Sequence, residues 1–268
     1  MSPNDAVPEM RETPLIEHLI ELRRRLIIVL LAFFAATALA YTFAPQIYAF
    51  LVQPLADSFP DPANRRMIYT GLTEAFFTYL KLAVFAGFFL SFPVIASQAY
   101  AFLAPGLYKQ ERRAAVPYLV AAPILFFAGA ALCYYGIFPA AWRFFLSFET
   151  ASAGGMPIRL EARVSEYLGL VIHLLLAFGI SFQLPVVLAL LTQAGMIQAK
   201  TLARGRRYAV VIIVVVAAFI TPPDIFSQVA LSVPLYLLYE GSVWICRAIE
   251  RRREHARHQM DTPESGAV

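Results

Sequence analysis

Glu21 and the arginines beside it are the residues with the clearest chemistry in this 268-residue sequence. Glu21 stands two positions before the run Arg23-Arg24-Arg25. Arg25 follows it by four positions, which is the favourable order for an ion pair along one face of a helix. An acid in these surroundings either is neutralised by the arginines or remains available to bind another cation.

Four further ionisable residues lie within or at the ends of long apolar stretches, namely Lys81, Glu166, Asp224 and Glu240. The chain is 59% hydrophobic and 15% charged, with a mean hydropathy of +0.63. Soluble domains are roughly 45–50% apolar and about 25% charged, so these values predict an integral membrane protein. In such a protein an ionisable group at membrane depth is a functional hypothesis by default.

Each of the four also has a structural explanation. Lys81 and Glu166 are expected near the same outer ends of their helices, where an ion pair between them would lock the fold. Asp224 would cap the helix that follows it by accepting backbone N–H groups. Glu240 would pair with a basic residue near the cytoplasmic face.

The motifs of common enzymes are absent from the sequence. It contains no G-x-x-x-x-G-K-[ST] phosphate loop, no H-E-x-x-H zinc motif and no G-x-S-x-G nucleophile motif. Cys133 and Cys246 lie in apolar stretches without neighbouring metal ligands, which favours small buried hydrophobes over a disulfide or a metal site. We therefore expect no enzyme, no cofactor and no metal.

Glu21 belongs to an amphipathic helix that leads into the first apolar stretch. Leucines recur at helical spacing from Leu15 to Leu26, Pro14 suits a first helical turn, and Thr13 is a possible N-cap. This indicates a surface helix that continues into the membrane. The alternative is that the arginines form only a cluster of positive charge that fixes the orientation of the first span in the membrane. The arginines and the following apolar run also resemble a cleavable signal peptide, but 22 residues precede the arginines and further apolar runs follow, so we expect a retained helix.

Hydropathy and breaker residues predict an all-α fold with six membrane spans and both termini on one side. Most of the 22 Lys and Arg residues fall on the side of the termini, so that side is predicted to be cytoplasmic. A disordered tail is predicted for residues 1–13, a membrane domain for 14–247 and a cytoplasmic tail for 248–268. The predicted spans are 26–44, 75–103, 114–138, 166–194, 208–220 and 225–246.

Four segments in this order resemble the TatC family, the multi-span receptor subunit of the twin-arginine protein translocase. They are PLIEHLIELR (14–23), FLAPGLYKQERR (102–113), FGISFQLP (178–185) and TPPDIFSQ (221–228). The resemblance implies a curved, glove-like bundle of six kinked helices in the bacterial cytoplasmic membrane. It also implies export of folded proteins driven by the proton-motive force, with single-span partner subunits of the TatA and TatB type.

The same resemblance implies a signal-peptide site at Glu21 and Glu111, with Phe102 beside it and Leu19 and Arg23 in the same motif. Successive side chains of an extended peptide point to opposite faces, so two adjacent arginines need acids on two separate elements. The planar guanidinium forms paired hydrogen bonds to a carboxylate that Lys cannot reproduce. Taken alone, Glu111 would be an exposed loop acid.

Gln183 is a mid-span amide that follows Phe182 and precedes Pro185. It needs a partner at membrane depth, and two are open: a backbone carbonyl of its own or another span, or a polar group of a single-span subunit. The resemblance implies the second, at a position where the family carries a polar, often acidic, residue.

Two other function classes remain open at the level of sequence. A small-solute secondary transporter would need polar groups at the midplane of broken helices, and only Gln183 with Pro185 qualifies. A structural membrane scaffold would need no cytoplasmic acids. Binding of a twin-arginine peptide, compared with a twin-lysine control, distinguishes all three classes.

Overall fold

This computed structural model describes residues 14–59, 66–103, 109–149, 160–220 and 225–261. The regular secondary structure of these residues is helical throughout. For residues 14–15, 103, 109–116, 220, 225–227 and 253–261 within these ranges, only the backbone is described. An isolated parallel β-bridge joins Ile68 to Arg163. The helices are α1 (Pro14–Thr42), α2 (Ala44–Ala56), α3 (Glu74–Leu103), α4 (Lys109–Leu132), α5 (Phe138–Leu146), α6 (Val164–Ser181), α7 (Leu184–Gln193), α8 (Ala199–Arg204), α9 (Arg206–Ile220) and α10 (Ile225–Asp261).

Five stretches of the described residues are long and apolar enough to cross a membrane, judged by length and composition. They are Ile16–Thr42, Glu74–Phe102, Pro117–Leu146, Val164–Gln193 and Gln228–Arg252. The predicted fifth span corresponds to α9, which has 15 residues. A helix of that length reaches about 22 Å, less than the roughly 30 Å of a bilayer core.

Several helices extend beyond their predicted bounds. The first helix is continuous from Pro14 to Thr42, so the amphipathic segment and the first span form one element. Pro45 does not extend span one but stands in the first turn of α2. The last helix runs to Asp261, so most of the predicted polar tail is helical. The tail at 1–13 and Asp224 lie outside the described residues.

The predicted third span continues well past its expected end. A π-helical segment, Cys133–Ile137, joins α4 to α5 without interrupting the helix. Pro139 directly follows the predicted span 114–138, but it lies in the first turn of α5, directly after the π-helical segment. The predicted connection between the third and fourth spans is therefore helical as far as Leu146.

The predicted fourth span is broken in two at Phe182 and Gln183. Pro185 cannot donate a backbone N–H, so α6 ends at Ser181 and α7 begins at Leu184 with this proline in its first turn. The chain turns within two residues, and the Val187 N–H donates to the Gln183 carbonyl at 2.9 Å.

The core lies between α3, α4 and α6, where Phe126 and Phe178 are fully buried. The first helix packs along α3, and the two backbones approach closely at Thr37 and Gly87. A Cβ added at Gly87 would lie 2.7 Å from the Cα of Thr37, so only glycine fits there. Small residues at such crossings are typical of membrane helices, in which close packing drives association.

Glu74 links the segment before α3 to the first turn of α6. Its carboxylate accepts hydrogen bonds from the backbone N–H of Thr70 (2.8 Å) and from the Ser165 hydroxyl (2.5 Å). The neighbouring β-bridge of Ile68 with Arg163 holds the same segments together. This side of the fold is thus fastened by polar contacts in addition to the apolar core.

Candidate functional site

The acid of the candidate site, Glu21, is paired within its own helix. The Arg25 side chain donates to the Oε1 atom of Glu21 from Nε at 3.0 Å and also from Nη2. This confirms the predicted pairing at four-residue spacing. Both donors share one oxygen, and among the described residues none donates to Oε2. Within the described part of the chain, the contacts of Glu21 with Arg25 are thus confined to one carboxylate oxygen.

Two side-chain contacts hold this part of α1 against the last turns of α3. The His18 ring stacks on Phe102, with ring centroids 4.2 Å apart and an angle of 22° between planes. About two turns later in α1, Arg25 donates from Nη1 to Oε1 of Gln98 in a long hydrogen bond of 3.5 Å. The structure thus brings Phe102 beside the part of α1 that carries His18, although the two residues lie about 80 positions apart in sequence.

The two remaining α1 residues of the predicted site face outward. Leu19 is 63% exposed, and Arg23 is exposed as well. Leu19 and Glu21 lie two positions apart on α1, so their side chains point to different faces of the helix.

Glu111 is in the first turn of α4, because that helix begins at Lys109. The predicted start of the third span at residue 114 was therefore wrong, since the helix begins earlier. The Glu111 side chain lies outside the described residues, so its pairing with Glu21 stays a prediction.

Similarity to known proteins identifies the family. The family described as "TatC: Sec-independent protein translocase protein (TatC)" matches residues 17–234. The chain belongs to the TatC family. Its members are translocase proteins and not enzymes, which confirms the expectation that the chain has no catalytic centre.

Individual TatC proteins align with nearly the whole chain. The protein of Rickettsia prowazekii is 49% identical over 246 residues, covering 91% of this chain and 97% of the relative. That of Escherichia coli K12 is 40% identical over 234 residues, covering 87% of this chain and 88% of the relative. A crystal structure named "Twin Arginine Translocase Receptor- TatC" superposes with a TM-score of 0.75 at 36% identity, covering 87% of this chain and 99% of that one.

These matches confirm the predicted all-α membrane fold and the translocase function. They give no support to the alternative of a small-solute transporter. The TatC fold is also what places α1 and the end of α3 together, and so brings Glu21, His18 and Phe102 into one surface.

Gln183 and Phe182 lie at the break between α6 and α7 and contact α4. The Gln183 side-chain amide donates to the Ala122 carbonyl at 2.9 Å, so the expected partner on another helix exists. A Cβ added at Gly129 would lie 2.7 Å from Cγ of Phe182, so the ring fills the space that this glycine leaves. Gln183 is half-buried, and its contact with a partner subunit stays a prediction.

The predicted ion pair between Lys81 and Glu166 does not form. Glu166 is bound instead by Arg163, at 2.8 Å, three positions before it in the chain. Lys81 has no ion pair with any described residue and lines an otherwise apolar groove together with His173. Glu240 has the basic partner expected for it, since Arg206 forms a paired contact at 2.7 and 3.0 Å.

Sequence reasoning missed His18, Gln98 and Glu74. His18 belongs to no H-E-x-x-H zinc motif. Its position three residues before Glu21, on the same face, was the available signal. No local pattern indicates Gln98 or Glu74, because their partners come from distant parts of the chain.

Proposed function

We propose that this chain is the receptor subunit of a twin-arginine translocase in the bacterial cytoplasmic membrane, with both termini cytoplasmic. It binds twin-arginine signal peptides of folded cargo at the face where α1 begins. The observation that carries the proposal is the Glu21 carboxylate, which keeps Oε2 without a described donor beside the His18–Phe102 stack. The distribution of Lys and Arg residues supports the orientation.

In this proposal one signal-peptide arginine donates to Oε2 of Glu21 while Arg25 stays on Oε1. The adjacent arginine points to the opposite face of the extended peptide and reaches Glu111. The exposed Leu19 and the Phe102 ring contact apolar residues of the peptide, and Arg23 borders the same surface. Peptide binding thus adds a second guanidinium to an acid that is already partly neutralised.

A titration of signal peptide against the purified protein tests this assignment. Glu21→Gln and Glu111→Gln should each weaken binding, and the double variant should bind no better than the parent binds a twin-lysine peptide. Glu17→Gln is the matched control, since Glu17 is an exposed acid one turn earlier in α1. Parent-like affinity in the double variant would show that the arginine pair binds elsewhere.

The partners in this proposal are single-span subunits of the translocase, which contact the chain at Gln183 and Phe182. The assembly is oligomeric, and the proton-motive force drives export. The chain itself holds the peptide and arranges the partners, because a folded cargo domain of 100 residues has a radius of gyration of about 13 Å, too wide for a passage within one six-helix bundle.

A further inference from the structure

The membrane face formed by α1, α2, α3 and α4 carries an apolar groove that ends beside a charged pocket. The groove has a volume of about 590 Å³ and only apolar surface, with a wall that includes Leu39, Phe43, Phe89, Phe127 and Ala131. We call it the tail groove. Neither Glu21 nor Gln183 lines it, so neither the peptide site nor the proposed partner contact accounts for it.

The charged pocket has a volume of about 470 Å³ and contains one acid and one base, Asp57 and Arg143. We call it the head pocket. Both side chains are exposed, and they form no ion pair with each other. Arg143 has no side-chain hydrogen bond to a described residue, and Asp57 receives only a long one, 3.4 Å, from Gln53. Two opposite charges thus stand in one pocket without neutralising each other.

The tail groove and the head pocket adjoin each other. Phe50, Tyr134 and Tyr135 line both, and the Phe50 and Tyr134 rings stack at 4.4 Å between centroids. Tyr134 also donates to the Phe50 carbonyl at 2.6 Å, which fixes the junction. Tyr135 is 71% exposed, as suits a tyrosine at the level of the lipid headgroups.

The dimensions match one leaflet of a bilayer. From Phe127 to Arg143 the chain is helical, and 16 residues of helix rise about 24 Å. Half a bilayer, with its headgroup region, is about 20–22 Å thick. An amphiphile whose head contacts Arg143 would therefore reach the level of Phe127 with its tail.

We infer that these two cavities form a binding site for a zwitterionic phospholipid with a primary ammonium headgroup, of the phosphatidylethanolamine type. The Arg143 guanidinium donates to the phosphate, a geometry that favours paired hydrogen bonds. The Asp57 carboxylate accepts from the ammonium, and one acyl chain fills the tail groove. An anionic lipid would satisfy Arg143 but would leave Asp57 without a cation, so the opposite charges select the zwitterion.

Native mass spectrometry of the full chain in detergent, with phosphatidylethanolamine or phosphatidylglycerol added, tests the head pocket. We expect the parent to retain phosphatidylethanolamine more tightly, and Asp57→Asn to abolish that preference. Arg143→Gln should weaken retention of both lipids by about fivefold, as for a partly exposed charged contact. Arg207→Gln is the control, because that exposed arginine of α9 lines neither cavity.

The tail groove is tested with a phosphatidylethanolamine that carries a photoreactive group at the end of its acyl chain. Label should appear on α4 near Phe127 and should be lost in Ala131→Phe, which places a ring in the groove at an exposed position. Equal retention of both lipids by the parent, or unchanged retention by the Asp57→Asn/Arg143→Gln double variant, would overturn the proposal. So would crosslinking of a groove residue in native membranes to a protein instead of a lipid.

Discussion

The Arg25 guanidinium occupies a single oxygen of Glu21, so it both neutralises the acid and competes with an arriving arginine. Replacing it by Gln should leave Glu21 more negative and tighten signal-peptide binding by about two- to fivefold, the size of an exposed ion pair. The gain should shrink at high salt, because the charges are partly exposed. Peptide titration at two salt concentrations measures both effects.

Arg24→Gln is the control for that experiment, since Arg24 is an exposed neighbour without a described ion pair. Weaker binding in Arg25→Gln alone would mean that Arg25 positions the Glu21 carboxylate and does not compete for it.

Gln183 gives a second prediction at the scale of a residue. Gln183→Leu removes the hydrogen bond to the Ala122 carbonyl, and interhelical bonds of this kind contribute about 0.6–2 kcal/mol. We expect weaker crosslinking of a single-span partner at the break between α6 and α7, with signal-peptide affinity unchanged. Lower thermal stability of the isolated chain, together with undiminished crosslinking, would assign Gln183 to the packing against α4 alone.

Among elements, the short α9 makes the clearest prediction. Its 15 residues reach about 22 Å against a bilayer core of roughly 30 Å, so we expect the bilayer to thin beside it. Insertion of four leucines into α9 should relieve the mismatch and reduce export, while signal-peptide binding persists. Transport of a reporter cargo into membrane vesicles measures the first effect, and peptide titration measures the second.

Four leucines contribute apolar surface as well as length, so the same insertion in the membrane part of α10 is the control. Undiminished export by the variant with the lengthened α9 would show that export does not depend on the short length of this helix.

The polar link between the starts of α3 and α6 also gives a prediction at the scale of elements. Ser165→Ala removes the hydroxyl that donates to Glu74 and should lower the free energy of unfolding by about 1 kcal/mol. Ser147→Ala is the control, because Ser147 is exposed and bonds only within its own helix end. Thermal unfolding in detergent compares the two, and equal melting temperatures would show that the link adds nothing measurable.

The sequence predicts local features of this fold well and distant contacts poorly. The Glu21–Arg25 pair follows from spacing on one helix, and the bounds of α3 and α9 follow from hydropathy and flanking breakers. The continuation through Cys133–Ile137 into α5 could not be predicted, because Pro139 reads as a helix breaker unless its place in a first turn is known. The partner of Glu166 was misassigned, since the Arg163 three positions away lies closer than Lys81.

At the scale of the whole molecule, the proposed role is that of a receptor subunit that does not itself form the passage. Vesicles that contain only this chain should bind signal peptide but admit no folded cargo, because the membrane helices of one such chain cannot enclose a path for a domain of about 13 Å radius of gyration. Addition of the single-span subunits and a proton gradient should start transport. A protease-protection assay on the cargo reports the difference, and protection with this chain alone would contradict the proposed division of roles.

The packing of α1 has a consequence for biosynthesis. Only 6% of its most apolar window is buried, and its close contact is the crossing of Thr37 with Gly87 of α3. The ribosome therefore delivers α1 to the bilayer before its docking surface exists, and about 60 further residues must be synthesised. At 5–20 residues per second this wait lasts about 3–12 s. During that time α1 must survive as a solitary span, and the pairing of Glu21 with Arg25 within the same helix keeps its entry point partly neutral before any neighbour arrives.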